Sequence, residues 1–559
     1  MPKSKKVTFA GAGAVGTVAA LILAKLSEKY DLGYEITLAE FNDDILDGGA
    51  AATTNILHID GFEYHKPFHS QTGKDCIDGG ITKGLMFDAR HYLTHVCTEE
   101  WPIRFMVSYD SLGVDGLTVE SFIDNAENMG GHFASRFNRL VEARGSRSKI
   151  ERMLGRNPET FARLLDPSEY SDCANIVCGY AGAGAGVNMP QYYALLKASL
   201  RASNIDVKCN VYIESLLKQP DNTYKITNYK RGTATQLEDI VADHISITAG
   251  HHAPQLTARI GYSDRNLNRS DLIREDGITC APGTYYLNAM LYAKLPATTD
   301  KKILDAMRVN FVLQAEGGCM FSCIAKPTKK RDGLAAIYYP SEKGSQLDKH
   351  LYTNDRPEGH PRDPNYLKWD EDIIRGLQAD DPRVKKILKQ SYRYYPFLEN
   401  YAKFDKALCR TVFNADVPDS DCGLDRRVRG LKPPTIVTTD GQVAAHWSPK
   451  WTTSELAAFG LVDQILQKFN DKKLPELPKN IEHGFGPTFI DVEQISRDIH
   501  FRDVKMDVKD TITYVVKRGG PEQLISPNTP DFIDGAAYKM MLEKVKNELS
   551  RSGGIDRRY

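Results

Sequence analysis

The hydrophobic pattern at the start of the chain changes period twice within 35 residues. "KVTF" (6–9) is a short β-type run, and "VGTVAALILAKLSEKY" (15–30) carries apolar residues at helical spacing with alanines on its close-packed face. "YEITLAE" (34–40) returns to a period of two and predicts a second strand ending on Glu40. Later, "NMPQYYALLKASLRAS" (188–203) reads as a helix, with Asn188 placed to cap it and Pro190 in its first turn. A strand, a β-hairpin arm and an alternating strand, "VADHISITAG" (241–250), follow and end at Ala249-Gly250. "GTYYLNAMLYAKL" (283–295), "MRVNFVLQA" (307–315) and "GLAAIYYPS" (333–341) predict strands of an antiparallel sheet. Helices are expected around 370–392. "TIVTTDGQVAAH" (435–446) reads as strand, Asp-Gly hairpin turn and strand, and an amphipathic helix follows. Thr452 and Glu455 have the T-x-x-E spacing of a capping box for that helix. The whole order predicts an α/β protein.

Between the first predicted strand and helix, Gly11, Gly13 and Gly16 spell G-x-G-x-x-G. Gly11 permits the tight turn, Gly13 lets the backbone approach a pyrophosphate, and Gly16 lets helix and strand pack closely. The amides of Ala14 and Val15 at the helix start then face the phosphates. Glu40 lies 24 positions beyond the third glycine and can accept hydrogen bonds from a ribose hydroxyl. An acid there favours an unphosphorylated ribose, as in FAD or NAD. A basic start before an apolar run also opens secretory signals. No small-residue cleavage site follows here, and a signal needs neither the glycines nor the acid.

Composition narrows the class. The chain has 559 residues, enough for two or three domains, with 26% charged and 41% hydrophobic residues. A formal net charge of −1 implies no general attraction to nucleic acid or anionic membrane. The ten cysteines lack CxxC or finger spacing and read as reduced thiols, which points to a cytoplasmic protein. No apolar run reaches the roughly 20 residues that span a bilayer. No metal site is expected: His91 and His95 are four apart on "DARHYLTHVC", read as a helix, but lack a third ligand. "YAGAGAGVN" (180–188) lacks the third glycine of a phosphate loop and reads as a flexible turn or strand edge.

The order from the glycine motif to Ala249-Gly250 resembles the FAD domain of D-amino-acid-oxidase-like flavoproteins. The resemblance implies a Rossmann-like, GR2-type FAD domain and FAD as cofactor, with the backbone of Ile213 passing the adenine and Ala249-Gly250 at the nucleotide. "ATTNILHIDGFEYHKP" (52–67) resembles the second flavin-contacting motif of FAD-dependent glycerol-3-phosphate dehydrogenases. It implies that Thr53, Thr54, Asn55 and Leu57 bind the cofactor, while His58 and Tyr64 face flavin and substrate. "SPKWTTSELA" (448–457) resembles the same enzymes' GGKxTTxRxxA loop, which places Lys450, Trp451, Thr452 and Thr453 at the flavin. A helix N-terminus there would stabilise anionic reduced flavin. "YYPFLENYAKFDKALCRTVF" (394–413) resembles the stretch that leads to a substrate-binding Arg, here Arg410. The segment 185–256 also looks like part of malate:quinone oxidoreductases.

The chain departs from the glycerol-3-phosphate enzymes where phosphate would bind. Glu63 stands in place of an Arg, which would repel a phosphate, and Ser448-Pro449 replace the two glycines. The expected function is therefore hydride transfer from a small anionic substrate, of 2-hydroxy-acid or polyol type, to FAD. His58, or a water it holds, would act as base. Lys450 and Arg410 would fix the anionic group, and electrons would leave to oxygen, a quinone or a carrier. The alternatives are an amine or amino-acid oxidase, an NAD-dependent dehydrogenase and a catalytically dead flavin protein. Arg426, Arg427 and Arg429 form a further basic set, and His251 or His252 faces the adenosine end. The FAD domain is expected over 1–100, 175–262 and 405–470, the substrate domain over 101–174 and 263–404 with a lid over 341–368, and a C-terminal appendage over 471–559. That appendage carries an amphipathic helix, "AAYKMMLEKVKNELSR" (536–551), able to dock on the body or on a partner. An oligomer is possible.

Overall fold

The computed structural model describes residues 4–47, 56–57, 70–87, 93–96, 103–144, 163–182, 185–250, 253, 256, 288–306, 310–314, 317–325, 327, 329, 332–340, 382–401, 435–436, 438, 440–446, 451–470, 482–483, 486–487, 495–496, 498–501, 503–517 and 535–551. In chain order these include β1 (Lys5–Ala10), α1 (Ala14–Tyr30), β2 (Tyr34–Ala39), β3 (Ile56–Leu57), α2 (Ser70–Met86), β4 (Leu93–Val96), β5 (Ile103–Ser108), α3 (Val119–Arg144), β6 (Arg163–Leu164), β7 (Ile176–Gly182), β8 (Ala185–Val187) and α4 (Met189–Arg201). Next come β9 (Ile205–Lys208), β10 (Val211–Lys218), β11 (Tyr224–Lys230), β12 (Ile240–Ala242), β13 (His244–Ile247), β14 (Asn288–Leu295), β15 (Asn310–Gln314), β16 (Gly317–Ala325), β17 (Gly333–Pro340) and α5 (Pro382–Tyr394). The chain continues with β18 (Thr435–Ile436), β19 (Val443–Ala445), α6 (Ser454–Phe469), α7 (Val508–Lys517) and α8 (Gly535–Arg551).

A six-stranded sheet in the order β18-β19-β13-β1-β2-β9 organises the nucleotide-fold half. All its strands run parallel except β18 at one edge. Period-two alternation divides these strands between two cores. Val7, Phe9, Ile36 and Leu38 join a cluster with Val18, Leu21 and Ile22 of α1 and Leu461 and Ile465 of α6. Ala10, Ala39, Ile245, Ile247, Val443 and Ala445 join Leu216, Tyr224 and Ile226 of the antiparallel arm β10-β11-β12. Covering both faces favours strands buried along their length, and all four residues of β13 are buried. The run 241–250 is thus two elements rather than one alternating strand. It breaks at Asp243, whose amide donates to the carbonyl of Lys6 at 2.7 Å and whose carboxylate accepts the Lys6 amide at 2.8 Å.

A seven-stranded sheet has the order β14-β17-β16-β15-β5-β7-β6. Its pairings are antiparallel apart from β15 with β5, which run parallel. A third sheet, β3-β8-β4, sets Ile56-Leu57 opposite Gly186 and Ala185. Of the glycine-rich stretch 180–188, residues 180–182 therefore end β7 and 185–187 form the central strand β8, and 183–184 lie outside the described residues. Just before that stretch, a Cβ on Gly179 of β7 would meet the Leu165 side chain at 2.9 Å. His95 lies on β4 and pairs with Gly186, so the helical spacing read for His91 and His95 does not hold at that residue. No helix among the described residues is long and apolar enough to cross a membrane.

The capping at α4 matches the sequence pattern: the Asn188 side chain accepts the Gln191 amide, with Pro in the first turn. At the C-terminal end, α7 packs on α4 and α8 packs on α7. Tyr193 and Tyr514 bring their rings within 5.0 Å, Arg201 bonds Asp510 at 2.6 Å, and Lys509 pairs with Glu548 at 2.8 Å. The appendage helix thus docks on the body through α7.

Candidate cofactor site

Four neighbouring strands of the parallel sheet end at one level. Ala39, Ala10, Ile247 and Ala445 are register partners across β2, β1, β13 and β19. The next residue on each strand is Glu40, Gly11, Thr248 and His446 in turn. This row forms the carboxyl edge of the sheet, where ligands of open α/β folds bind.

Each glycine of the motif has a distinct environment. Gly11 has φ +119°, a backbone that side chains rarely adopt, and a Cβ there would sit 2.6 Å from the Thr248 carbonyl and 2.7 Å from Ala249. Gly16 is held more tightly: a Cβ would stand 1.9 Å from the Gly11 carbonyl and 2.4 Å from Thr248 Oγ1. Gly13 differs, because no described atom lies within 4 Å of its Cβ position. Packing therefore explains two glycines, and open space remains beside the third. Gly13 precedes α1 without a side-chain cap, and the helix has no acid in its first turn. An anion is the natural complement of such a helix start. Ala14 is buried and Val15 half-buried in that first turn.

Glu40 is buried, and its two carboxylate oxygens accept the Ala12 amide at 2.6 Å and the Asn42 amide at 2.9 Å. Burial is the largest influence on its acidity and, with the nearby Asp47 charge, pushes its pKa up to about 7, against the pull of those amides. His446 is buried too. Its backbone amide donates to Ile247, while Nε2 has no hydrogen-bond partner among the described residues. Burial pushes its pKa down to about 4, so the ring is neutral at pH 7. Ala249 and Gly250 follow Thr248, whose hydroxyl donates to the Gly11 carbonyl at 2.7 Å, and Gly250 takes φ +56°. Ile213 is buried on β10, two residues after the Val211 amide that donates to the Glu40 carbonyl. Among the described residues, open space at Gly13, an uncapped helix start, a ribose-compatible acid and an unpartnered His446 Nε2 fit an ADP-containing dinucleotide such as FAD.

A second cluster supports the turn 451–453. Trp451–Thr453 form one 3₁₀ turn ahead of α6, and α2 presses against it: a Cβ on Gly79 would meet the Thr452 carbonyl at 2.4 Å. The helix cap falls one residue later than the expected Thr452–Glu455 capping box placed it. Thr453 is the residue before α6 and makes no side-chain capping bond. Glu455 points instead into a buried network. Lys83 of α2 pairs with it, and the Tyr192 hydroxyl donates to Oε1 and the Ser454 hydroxyl to Oε2, each at 3.0 Å. Lys83 also reaches Ser454 at 3.2 Å and lies 4.1 Å from the centre of the Trp451 ring, with Tyr192 edge-on to that ring at 5.1 Å. Both charged side chains are fully buried, and burial pulls the Lys83 pKa down while the Glu455 charge opposes it. Sequence reasoning missed Lys83 and His446, because neither carries a local signature.

Thr53, Thr54, Asn55, His58, Tyr64, His91, Arg410, Lys450, His251, His252, the Arg426–Arg429 set and the 341–368 segment lie outside the described residues. Leu57 is placed on β3 opposite Ala185. Among the described residues no group of three or more His, Cys, Asp or Glu side chains is placed to hold a metal ion.

No protein-family profile matches the sequence, and no curated protein matches it. Among solved structures, the chain is similar to glycine oxidase from Geobacillus kaustophilus, at 13% identity over 83% of this chain and 95% of that one, with a TM-score of 0.47. It is also similar to L-proline dehydrogenase from P. horikoshii, at 13% identity over 85% and 96%, TM-score 0.48. A third likeness is to an L-alpha-glycerophosphate oxidase from Mycoplasma pneumoniae solved with FAD bound, at 14% identity over 84% and 96%, TM-score 0.46.

Two outcomes follow. Lys83→Met leaves the buried Glu455 carboxylate without its cation and should lower unfolding free energy by about 3–5 kcal/mol, while Lys83→Met with Glu455→Gln should recover most of that loss. Denaturant titration of both variants checks this. For Glu40, the raised pKa means the folded state keeps its proton longer than the unfolded chain. The associated stability is complete below the ordinary carboxylate range and is lost as pH rises through about 7. The cofactor-free protein should therefore lose stability between pH 5 and 8, and Glu40→Gln should flatten that part of the profile. An identical profile in the variant would remove Glu40 as its source.

Proposed function

We propose that the chain is an FAD-dependent oxidoreductase that takes a hydride from a small anionic substrate of the 2-hydroxy-acid or polyol class. The observation that carries this reading is the open Gly13 position at the uncapped start of α1, next to the strand-end row of Glu40, Gly11, Thr248 and His446, whose Nε2 has no partner among the described residues. Glu40 accepts a ribose hydroxyl of the adenosine half. The α1 amides hold the pyrophosphate, and Gly13 leaves room for its approach. The neutral His446 ring offers the cofactor a hydrogen bond. Bound FAD supplies a hydride acceptor.

The chain's own residues then divide the remaining work. Trp451–Thr453, braced by the Lys83–Glu455 pair, present a helix start toward the flavin edge, where backbone N–H groups favour negative charge. Thr53, Thr54, Asn55 and Leu57 hold the ribityl side. His58, or a water it orients, takes the substrate's hydroxyl proton, with Tyr64 beside it. Lys450 and Arg410 hold the substrate's anionic group, and Glu63 disfavours a phosphate. Electrons leave to oxygen, a quinone or a carrier protein.

The test is the visible spectrum of the purified protein, before and after acid precipitation, followed by anaerobic addition of substrates. Flavin absorbance that moves to the supernatant means non-covalent FAD; absorbance that stays in the pellet means a covalent link, with His58 the first residue to replace. Anaerobic bleaching by 2-hydroxy acids or polyols supports the stated class, and bleaching by amines or amino acids alone moves the activity to C–N oxidation. A colourless protein that takes up no added FAD contradicts the flavoenzyme reading and favours NAD.

A further inference from the structure

The loop 41–47 joins Glu40 to the glycine motif and is unusually acidic. Leu46, at φ +55°, donates its amide to the Ala12 carbonyl at 2.9 Å, and Ala12 donates in turn to Glu40. Asp43, Asp44 and Asp47 sit in this short loop, beside the place proposed for a pyrophosphate. Three carboxylates there would repel such an anion unless cations offset them. Two lysines from distant parts of the chain do so. Lys197 of α4 bonds Asp44 at 2.8 Å, and Tyr193 donates to the same carboxylate. Lys517, the last residue of α7, bonds Asp43 at 2.8 Å and reaches Asp44 at 3.6 Å. Its side chain is 12% exposed, so solvent screens these contacts only in part. The charges of Asp43, Asp44 and Asp47 all favour its protonated form.

We infer that the C-terminal segment 508–517 is a working part of the dinucleotide site, with Lys517 as a positioning residue that holds and neutralises the acidic loop beside the phosphate-binding turn. Lys517 itself touches no part of the ligand. It acts through Asp43 and Asp44, whose loop fixes Ala12 and, through the Asn42 and Ala12 amides, the Glu40 carboxylate. A role confined to docking the appendage would change stability alone. The electrostatic role adds a change in anion affinity that depends on salt.

The inference rests on the nucleotide part of the proposed function and is tested on the full chain with ADP, which carries the adenosine and pyrophosphate common to FAD and NAD. By calorimetry at low ionic strength, Lys517→Met should bind ADP about tenfold more weakly than wild type, with the gap narrowing as salt screens the solvent-accessible Asp43 and Asp47. Lys517→Arg should restore most of the affinity. Asp47→Asn covers the case in which Lys517→Met fails to fold, and predicts the opposite sign: removing one anion should tighten ADP binding about two- to threefold at low salt. A docking role cannot produce that gain. Wild-type protein that binds ADP while Asp47→Asn leaves its affinity unchanged overturns the inference alone, as does a folded Lys517→Met with wild-type affinity. Wild-type protein that binds no ADP overturns the nucleotide reading together with it.

Discussion

The contact between the first turn of α1 and the end of β1 sets everything else at the carboxyl edge. The backbone of Gly16 lies so close to the Gly11 carbonyl and Thr248 Oγ1 that any side chain would have to occupy their space. Thr248 seals the junction from β13 by bonding the Gly11 carbonyl, and Thr17 bonds the Ala12 carbonyl at 3.0 Å from within α1. These bonds fix the helix start against the ends of β1 and β13. Once the helix is seated, its free amides and the space beside Gly13 come to one place, with Glu40 on one side and His446 on the other.

Two charge clusters keep the surrounding pieces in place, and they differ in kind. The Lys83–Glu455 pair is wholly buried, so its desolvation cost is large and its value lies in register. It ties α2 to the start of α6 and so holds Trp451–Thr453. The Asp43–Asp44–Lys197–Lys517 cluster is partly open and joins the loop after β2 to α4 and α7. If the inferred role holds, the lysines that fasten this loop also set the potential beside the phosphate-binding turn.

What was legible in the sequence was what short range determines. The glycine spacing, Glu40 at the end of β2, the Asn188 cap and the Asp-Gly turn before β19 each depend on a few consecutive residues, and each lies where the pattern placed it. Lys83 and Lys517 depend on partners more than 370 residues away, and nothing in their neighbours announces them. The T-x-x-E spacing at Thr452 set the cap one residue early, and it could not show that Glu455 meets a lysine that the local pattern does not contain. The glycine-rich 180–188 run looked like a turn because glycine is permissive. In the structure its described parts, 180–182 and 185–187, are strand. His95 shows the limit of spacing arguments: residues four apart share a face only if the segment is helical, and this one is a strand.

The central claim is that Gly13 is a glycine for the sake of a bound dinucleotide and not for the fold. Its most direct test is FAD titration of wild type and Gly13→Val, each measured beside its own thermal unfolding. The account predicts that Gly13→Val unfolds within a few degrees of the cofactor-free wild type while losing FAD affinity by at least about tenfold, a difference of about 1.4 kcal/mol. Unchanged FAD affinity in a folded Gly13→Val variant would contradict it and remove the carboxyl edge of the parallel sheet as the cofactor site.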